Sequence, residues 1–259
     1  MTTPRPRDAS ATRSPVAAAL AYSALAAADT YLAGQSSATR RRLRRVTKPL
    51  LMPALMSAFS RATADSSDRR TRRGILLAQG MSGGGDVALL SRSEPAFLAG
   101  VGSFFAAHIA YTATFAANGR PLGDPAGRRT TLATVLAAGP LVPVMGQAAG
   151  RRSARLRGPV TAYAAMIIAM VASSTRLSAH MPVEARRLVG AGTGLFLASD
   201  TVLATRKFLL HDPSPRSDAF VIATYTAGQG LIALGLARAA RAPRPAEVVP
   251  PARVEETGG

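Results

Sequence analysis

The stretch PAFLAGVGSFFAAHIAYTATFAA, residues 95–117, contains no Lys, Arg, Asp or Glu. A helix on the surface of a soluble protein returns a charged side chain to water every third or fourth position. This stretch does not, so no face of it seeks water, and it is long enough to cross a hydrocarbon layer of about 30 Å as a helix. Seven further stretches carry almost no charge, none of them more than two charged residues: residues 16–34, 46–62, 74–90, 131–149, 158–174, 188–205 and 219–240.

Between these stretches the chain is strongly basic. Lys and Arg concentrate at residues 40–45, 69–73, 151–157 and 186–207, within a total of 32 against 14 Asp and Glu. A net charge of +18 first points to nucleic acid. No zinc finger, aromatic-rich basic sheet or recognition helix accompanies it, so no nucleic-acid partner is expected. Short basic loops meeting anionic lipid head groups explain the same charge. The hydrophobic fraction, 47%, is ordinary for a globular chain, and the mean hydropathy of +0.14 is low for a multi-span one. Distribution rather than composition therefore carries the argument. The absence of cysteine excludes disulfides, thiol catalysis and thiolate metal sites.

The expected architecture is all-α: a polytopic membrane bundle of about eight transmembrane helices over residues 16–240. Polar, proline-bearing tails at 1–15 and 241–259 are expected to be disordered. The first apolar stretch also fits a secretory leader cut near Ala28, although a chain with seven further spans does not need one. The second stretch is the weakest, because Lys48, Pro49 and Pro53 also suit a re-entrant or kinked segment. Pro140 and Pro143 predict a kink in the fifth. Abundant Ala, Gly, Ser and Thr predict close helix packing, since packing drives helix association in lipid.

Polar side chains at bilayer depth are costly and each needs a partner. Asp29, Lys48, Asp86, His108 and Asp200 are the titratable ones, joined by Gln79, Gln147, Gln229, Tyr22, Tyr111 and Tyr225. Helical spacing sorts them into stripes: Tyr22 with Asp29, Gln79 with Asp86, His108 with Tyr111, Tyr225 with Gln229, and Asp200 with Lys207. Lipid satisfies none of these stripes, so they are expected to turn inward toward one shared polar cavity. Asp29 and Lys48 lie near span ends, within reach of the interface. Asp86 and Asp200 lie deeper, with no cation next to them in sequence. An unpaired carboxyl group at that depth keeps its proton, and two facing one cavity divide into an acid and a base. Gly83-Gly84-Gly85 before Asp86 is no phosphate loop, because no Lys-Ser/Thr follows. G-x-S-x-G, H-E-x-x-H and G-x-G-x-x-G are also absent.

At these residues the sequence resembles the YhhN-type membrane proteins, which include the lysoplasmalogenases. The segments that carry the resemblance are Thr47-Lys48-Pro49-Leu50-Leu51-Met52-Pro53, then Gly85-Asp86, then Phe97, Gly100, Phe104, His108 and Tyr111. They continue with Gly194, Ser199-Asp200 and Arg206-Lys207-Phe208, and end with Tyr225 and Gln229. In order and spacing they cover about residues 16–238. The resemblance implies eight spans and hydrolysis of the vinyl ether bond of lysoplasmalogen to a fatty aldehyde and a glycerophospho-alcohol. It places the proposed catalytic aspartate pair on Asp86 and Asp200, and fold transfers along it more safely than substrate.

Vinyl ether hydrolysis needs a positioned acid, a base to orient water and negative charge beside an oxocarbenium ion. Asp86 and Asp200 meet those needs. His108, Tyr111, Tyr225 and Gln229 are expected to orient water or the glycerol hydroxyl. Lys48, with Arg206 or Lys207, is expected to hold the phosphate. Expected partners are the lysophospholipid substrate and membrane lipids, with no cofactor, at the cell membrane. Two other readings stand beside this one: a lipid-binding or transport protein without turnover, and a metal-dependent lipid hydrolase using Asp86, Asp200 and His108.

Overall fold

The computed structural model describes residues 14–242 apart from 92, 122 and 213. The expected tails lie outside the described residues except at their inner ends. Nine helices occur among the described residues: α1 (Pro15–Ala33), α2 (Ala38–Ala62), α3 (Arg69–Ala88), α4 (Glu94–Ala117), α5 (Pro125–Ala138), α6 (Leu141–Arg152), α7 (Ala154–Ser174), α8 (Val183–Phe208) and α9 (Pro215–Arg241). The one β-type pairing among them is an isolated bridge between Gly119 and Leu177.

Helix starts follow ordinary capping chemistry. The side chains of Ser14, Asp68, Ser93 and Ser214 each accept a backbone N–H from the first turn of α1, α3, α4 and α9. Pro15, Pro95 and Pro215 sit where a helix has no N–H to lose. The fifth apolar stretch goes further than a kink. It divides at Gly139-Pro140 into α5 and α6, so eight predicted segments yield nine helices.

Among the described residues, six segments are long and apolar enough to cross a membrane: α1, α4, α5 with α6, α7, α8 and α9. Helices α2 and α3 carry the arginine clusters of residues 40–45 and 69–73 in their opening turns, which lowers their mean hydropathy. Their inner halves are nonetheless in the bundle, with Leu51, Met52, Ile75 and Ala78 fully buried. The outward faces are apolar: Leu20, Leu50, Leu77, Val87, Ile109 and Leu136 are all exposed. Such faces suit lipid, and the chain is an integral membrane protein.

The most extensive pairings are α8 with α9, α3 with α4, and α1 with α2. The first depends on glycine. A Cβ on Gly192 would come within 2.7 Å of the Gly228 carbonyl oxygen, and a Cβ on Gly228 within 2.7 Å of the Gly192 oxygen. Two backbones meet there, as small residues permit in membranes. Helix α1 packs on α2 and α9, runs through Ala28, and buries Tyr22 and Asp29.

Candidate active site

Asp86 lies in the last turn of α3. Gly85 before it leaves room for the Phe104 ring of α4, which a Cβ would overlap. The Asp86 side chain is buried. Tyr225 Oη of α9 donates to its Oδ2 at 2.7 Å. Lys48 Nζ of α2 stands 3.5 Å from its Oδ1. The expectation that neither deep carboxylate has a cation beside it therefore fails at Asp86. Lys48 is buried and turned inward, and its partner comes from a different helix.

Asp200 projects from α8. The neighbouring Ser199 Oγ donates to the Val221 carbonyl of α9 at 3.0 Å, which ties α8 to α9 at this level. The Tyr163 hydroxyl of α7 donates to Asp200 Oδ2. Asp200 has no ion-pair partner among the described residues. Each carboxyl group is thus held by one tyrosine, and rings link the two assemblies. Phe196 meets Tyr225 edge-on at 5.3 Å and His108 at 4.9 Å, and His108 meets Tyr163 at 5.2 Å.

Both carboxyl groups line one cavity of about 920 Å³. Its mouth lies at the end of the bundle where α1 turns into α2, α3 and α8 end, and α9 begins. The rim is charged, with Arg42, Arg44, Arg45 and Arg206 facing Asp212 and Asp218. Arg206 is paired with Asp218 at 2.5 Å. Arg44 reaches both oxygens of Asp29 at 3.3 Å, and Thr47 Oγ1 donates to the same carboxylate at 2.6 Å. Asp29 is fully buried by this clamp rather than carried to the interface.

Of the nine residues singled out from sequence, Lys48, Asp86, Asp200, Arg206 and Tyr225 line this cavity. His108, Tyr111 and Gln229 do not. Tyr111 Oη donates to Gln229 Oε1 at 2.5 Å, and Gln229 Nε2 donates to Ser82 Oγ at 3.0 Å. This layer joins α4, α9 and α3 and is fully closed to solvent. His108 Nδ1 lies 2.5 Å from the Phe104 carbonyl oxygen, so it carries the proton and donates. Its Nε2 has no partner among the described residues. Lys207 leaves the cavity altogether, and its Nζ stands 4.1 Å over the Phe97 ring. The inward stripes thus form an open cavity and a sealed hydrogen-bonded layer rather than one shared cavity.

Two contributions escape the sequence reading. Tyr163 is the lone tyrosine in its span, a signal that a search for buried hydroxyls would find. The arginines of residues 40–45 read as a lipid-facing loop when hydropathy alone sets the span. Helix α2 starts at Ala38, two turns earlier than the predicted span, so Arg44 and Lys48 fall four apart on one face.

Among the described residues, no group of three His, Asp or Glu is placed to hold a metal ion. His108 is turned to Phe104, Phe196 and Tyr163 and does not line the cavity. The three ligands required by a metal-dependent reading are therefore not gathered.

No curated protein and no solved structure matches the chain. The family model that does match spans residues 43–236, from the opening turns of α2 to the last turns of α9, and so takes in every residue that holds Asp86 and Asp200. On that match the chain belongs to the YhhN family.

Proposed function

We propose that this protein is a membrane hydrolase that cleaves the vinyl ether bond of a lysoplasmalogen-like lysophospholipid, with Asp86 and Asp200 as its catalytic pair. The reading rests on one observation above the rest: both carboxyl groups line a single cavity whose rim is arginine-rich and whose depth is apolar and aromatic. A lysophospholipid has the matching polarity, with an anionic phosphate at one end and a hydrocarbon chain at the other.

The two carboxyl groups have different surroundings, and these divide the work. Lys48 balances a negative charge on Asp86, which serves as the base. Asp200 has a tyrosine and no cation on it among the described residues, and it serves as the acid. Asp200 delivers its proton to the vinyl carbon on the chain side. The adjoining carbon becomes an oxocarbenium ion that the Asp86 carboxylate stabilises. Water adds to that carbon and gives its second proton to Asp86. The hemiacetal then collapses: its hydroxyl proton returns to Asp200, and the glycerol oxygen leaves with the proton from Asp86. One water is consumed, an aldehyde and an alcohol form, and both side chains are restored. General acid–base catalysis of this kind contributes about 10²–10⁴-fold.

The test is aldehyde release from a lysoplasmenyl lipid by the purified protein, with Asp86→Asn and Asp200→Asn beside it. Loss of at least about 10²-fold in each variant is expected. Wild-type protein that binds the lipid and releases no aldehyde would favour the lipid-binding or transport reading instead.

A further inference from the structure

Asp29 is fully buried, yet it does not line the cavity. Its carboxylate is held from α2. Arg44 donates to it with Nε and Nη2, at 3.3 Å to each oxygen, and Thr47 Oγ1 donates to Oδ1 at 2.6 Å. An arginine fork set against both oxygens fixes direction as well as distance. Thr47 adjoins Lys48, and Arg44 lies one turn before it. The carboxylate therefore grips α2 beside the residue that pairs with Asp86.

The gripped part of α2 has little else to hold it. Among residues 38–47 whose side chains are described, none is buried. Leu43 and Val46, its large apolar side chains, are both exposed. A second tie to α1 lies at the surface, where Arg40 Nη1 donates to Tyr31 Oη at 3.0 Å and the guanidinium stands 5.1 Å over the ring. Exposed contacts of that kind contribute only about 0.5–1 kcal/mol. From Lys48 onward the helix is packed, with Leu51, Met52 and Leu55 buried.

The two parts of α2 meet at a weak point in its backbone. Pro49 and Pro53 have no N–H, so the carbonyls of Arg45 and Pro49 lose their helical donors. Helices bend most readily at such interruptions. The part before the prolines carries Arg42, Arg44, Arg45 and Lys48, all of which line the cavity. A tilt of this part away from α1 would draw Lys48 off Asp86 and move Arg42 and Arg45 from the mouth.

We infer that Asp29 is a positioning residue of this site: it latches residues 38–47 of α2 onto α1 and thereby keeps Lys48 on Asp86. A buried ion pair adds little net stability, because desolvation offsets the attraction. What Asp29 adds is a single register between α1 and α2, at the place where apolar packing and the helical ladder both fail to set one. The inference rests on the reading of Asp86 as a working carboxylate.

The test uses the two lysines of the chain, Lys48 and Lys207. Lys207 is exposed and serves as the internal standard. Protein in phosphatidylcholine nanodiscs is treated with a water-soluble acetylating reagent, and the rates at both lysines are read by peptide mass spectrometry. Asp29→Ala is expected to raise the Lys48-to-Lys207 rate ratio at least about tenfold, through local opening. Arg44→Met with Thr47→Val breaks the same contact from α2 and should give the same rise, so either variant that folds suffices. Ile232→Ala opens a gap in the core on α9, away from the cavity lining, and should leave the ratio at its wild-type value. An unchanged ratio in the folded latch variants, or an equal rise in Ile232→Ala, overturns the latch.

The labelling needs no turnover, so its failure is separable from failure of the hydrolase reading. In the aldehyde assay Asp29→Ala should lose at least about tenfold in kcat, while Ile232→Ala keeps its kcat. Wild-type kcat in an Asp29→Ala protein whose Lys48 has become reactive overturns the role of Asp29 in positioning. Wild-type protein that releases no aldehyde, with Lys48 freed in the latch variants, would remove the hydrolase reading and leave the latch standing.

Discussion

Lys48 and Asp86 form a buried ion pair between α2 and α3, with Nζ 3.5 Å from Oδ1 and the two side chains 11% and 3% exposed. Removing one partner of such a pair leaves an uncompensated charge, a change that costs about 3–5 kcal/mol in buried settings. Lys48→Met is therefore expected to lower the thermal midpoint in detergent and to abolish turnover. The double variant Lys48→Met with Asp86→Asn removes both charges. It should recover most of the lost stability and none of the activity. A double variant no more stable than Lys48→Met would show that the pair does not couple the two helices.

The tyrosines on the two carboxyl groups allow a finer cut. Phenylalanine keeps the ring contacts of Tyr225 with Phe104 and Phe196 and removes the hydroxyl that donates to Asp86. Hydrogen bonds to charged groups contribute about 1.5–3 kcal/mol. Tyr225→Phe and Tyr163→Phe are each expected to cut kcat by roughly 10–100-fold at nearly constant KM, with folding intact. A rise in KM with kcat unchanged would move these hydroxyls from the chemistry to lipid binding.

How much of this is legible in the sequence follows from what each signal measures. Stretches with almost no charge report lipid contact directly, so α1, α4, α7, α8 and α9 fall within a few residues of their predicted ends. Stripes of polar residues report only that a face turns inward. They find Asp86, Asp200 and Tyr225, but cannot tell the cavity from the closed Tyr111–Gln229–Ser82 layer, since both faces are equally hidden from lipid. Pairing across helices is invisible to periodicity. Lys48 meets Asp86, and Tyr163 meets Asp200, only after the bundle closes. Arg44 escapes for a different reason. A helix that begins in a basic cluster looks like a loop when the span is judged by hydropathy, yet extra turns of α2 carry Arg44 over Asp29.

The arginine rim predicts a split between binding and chemistry. Arg42 and Arg45 line the cavity mouth and are exposed. Arg42→Gln with Arg45→Gln should raise KM for a phosphate-bearing lysolipid by about tenfold, with kcat little changed, the signature of lost uniform binding. The same double variant should treat an alkenyl glycerol, which lacks the phosphate, much as wild type does. A matching rise in KM for both substrates would mean that the rim acts on the fold rather than on the head group.

The Gly192–Gly228 crossing makes the fold itself testable apart from any activity. A side chain at either position meets the opposing backbone at 2.7 Å, and backbone cannot rotate away as a side-chain end can. Overpacking costs about 1–3 kcal/mol where neighbours can adjust, and more where they cannot. Gly192→Val is expected to lose the folded protein or lower its thermal midpoint by several degrees, with less material extracted in mild detergent. Gly194, on the same helix, faces open space: a methyl group there would meet no atom within 4 Å. Gly194→Ala should be tolerated within about 1 kcal/mol, the scale of the helix-propensity difference between the two residues. Because Ser199 and Asp200 follow on the same helix and are tied to α9 through Val221, separating α8 from α9 at Gly192 should also disorder the acid at Asp200. Gly192→Val protein that folded with wild-type stability and wild-type turnover would show that the α8–α9 crossing does not hold the site.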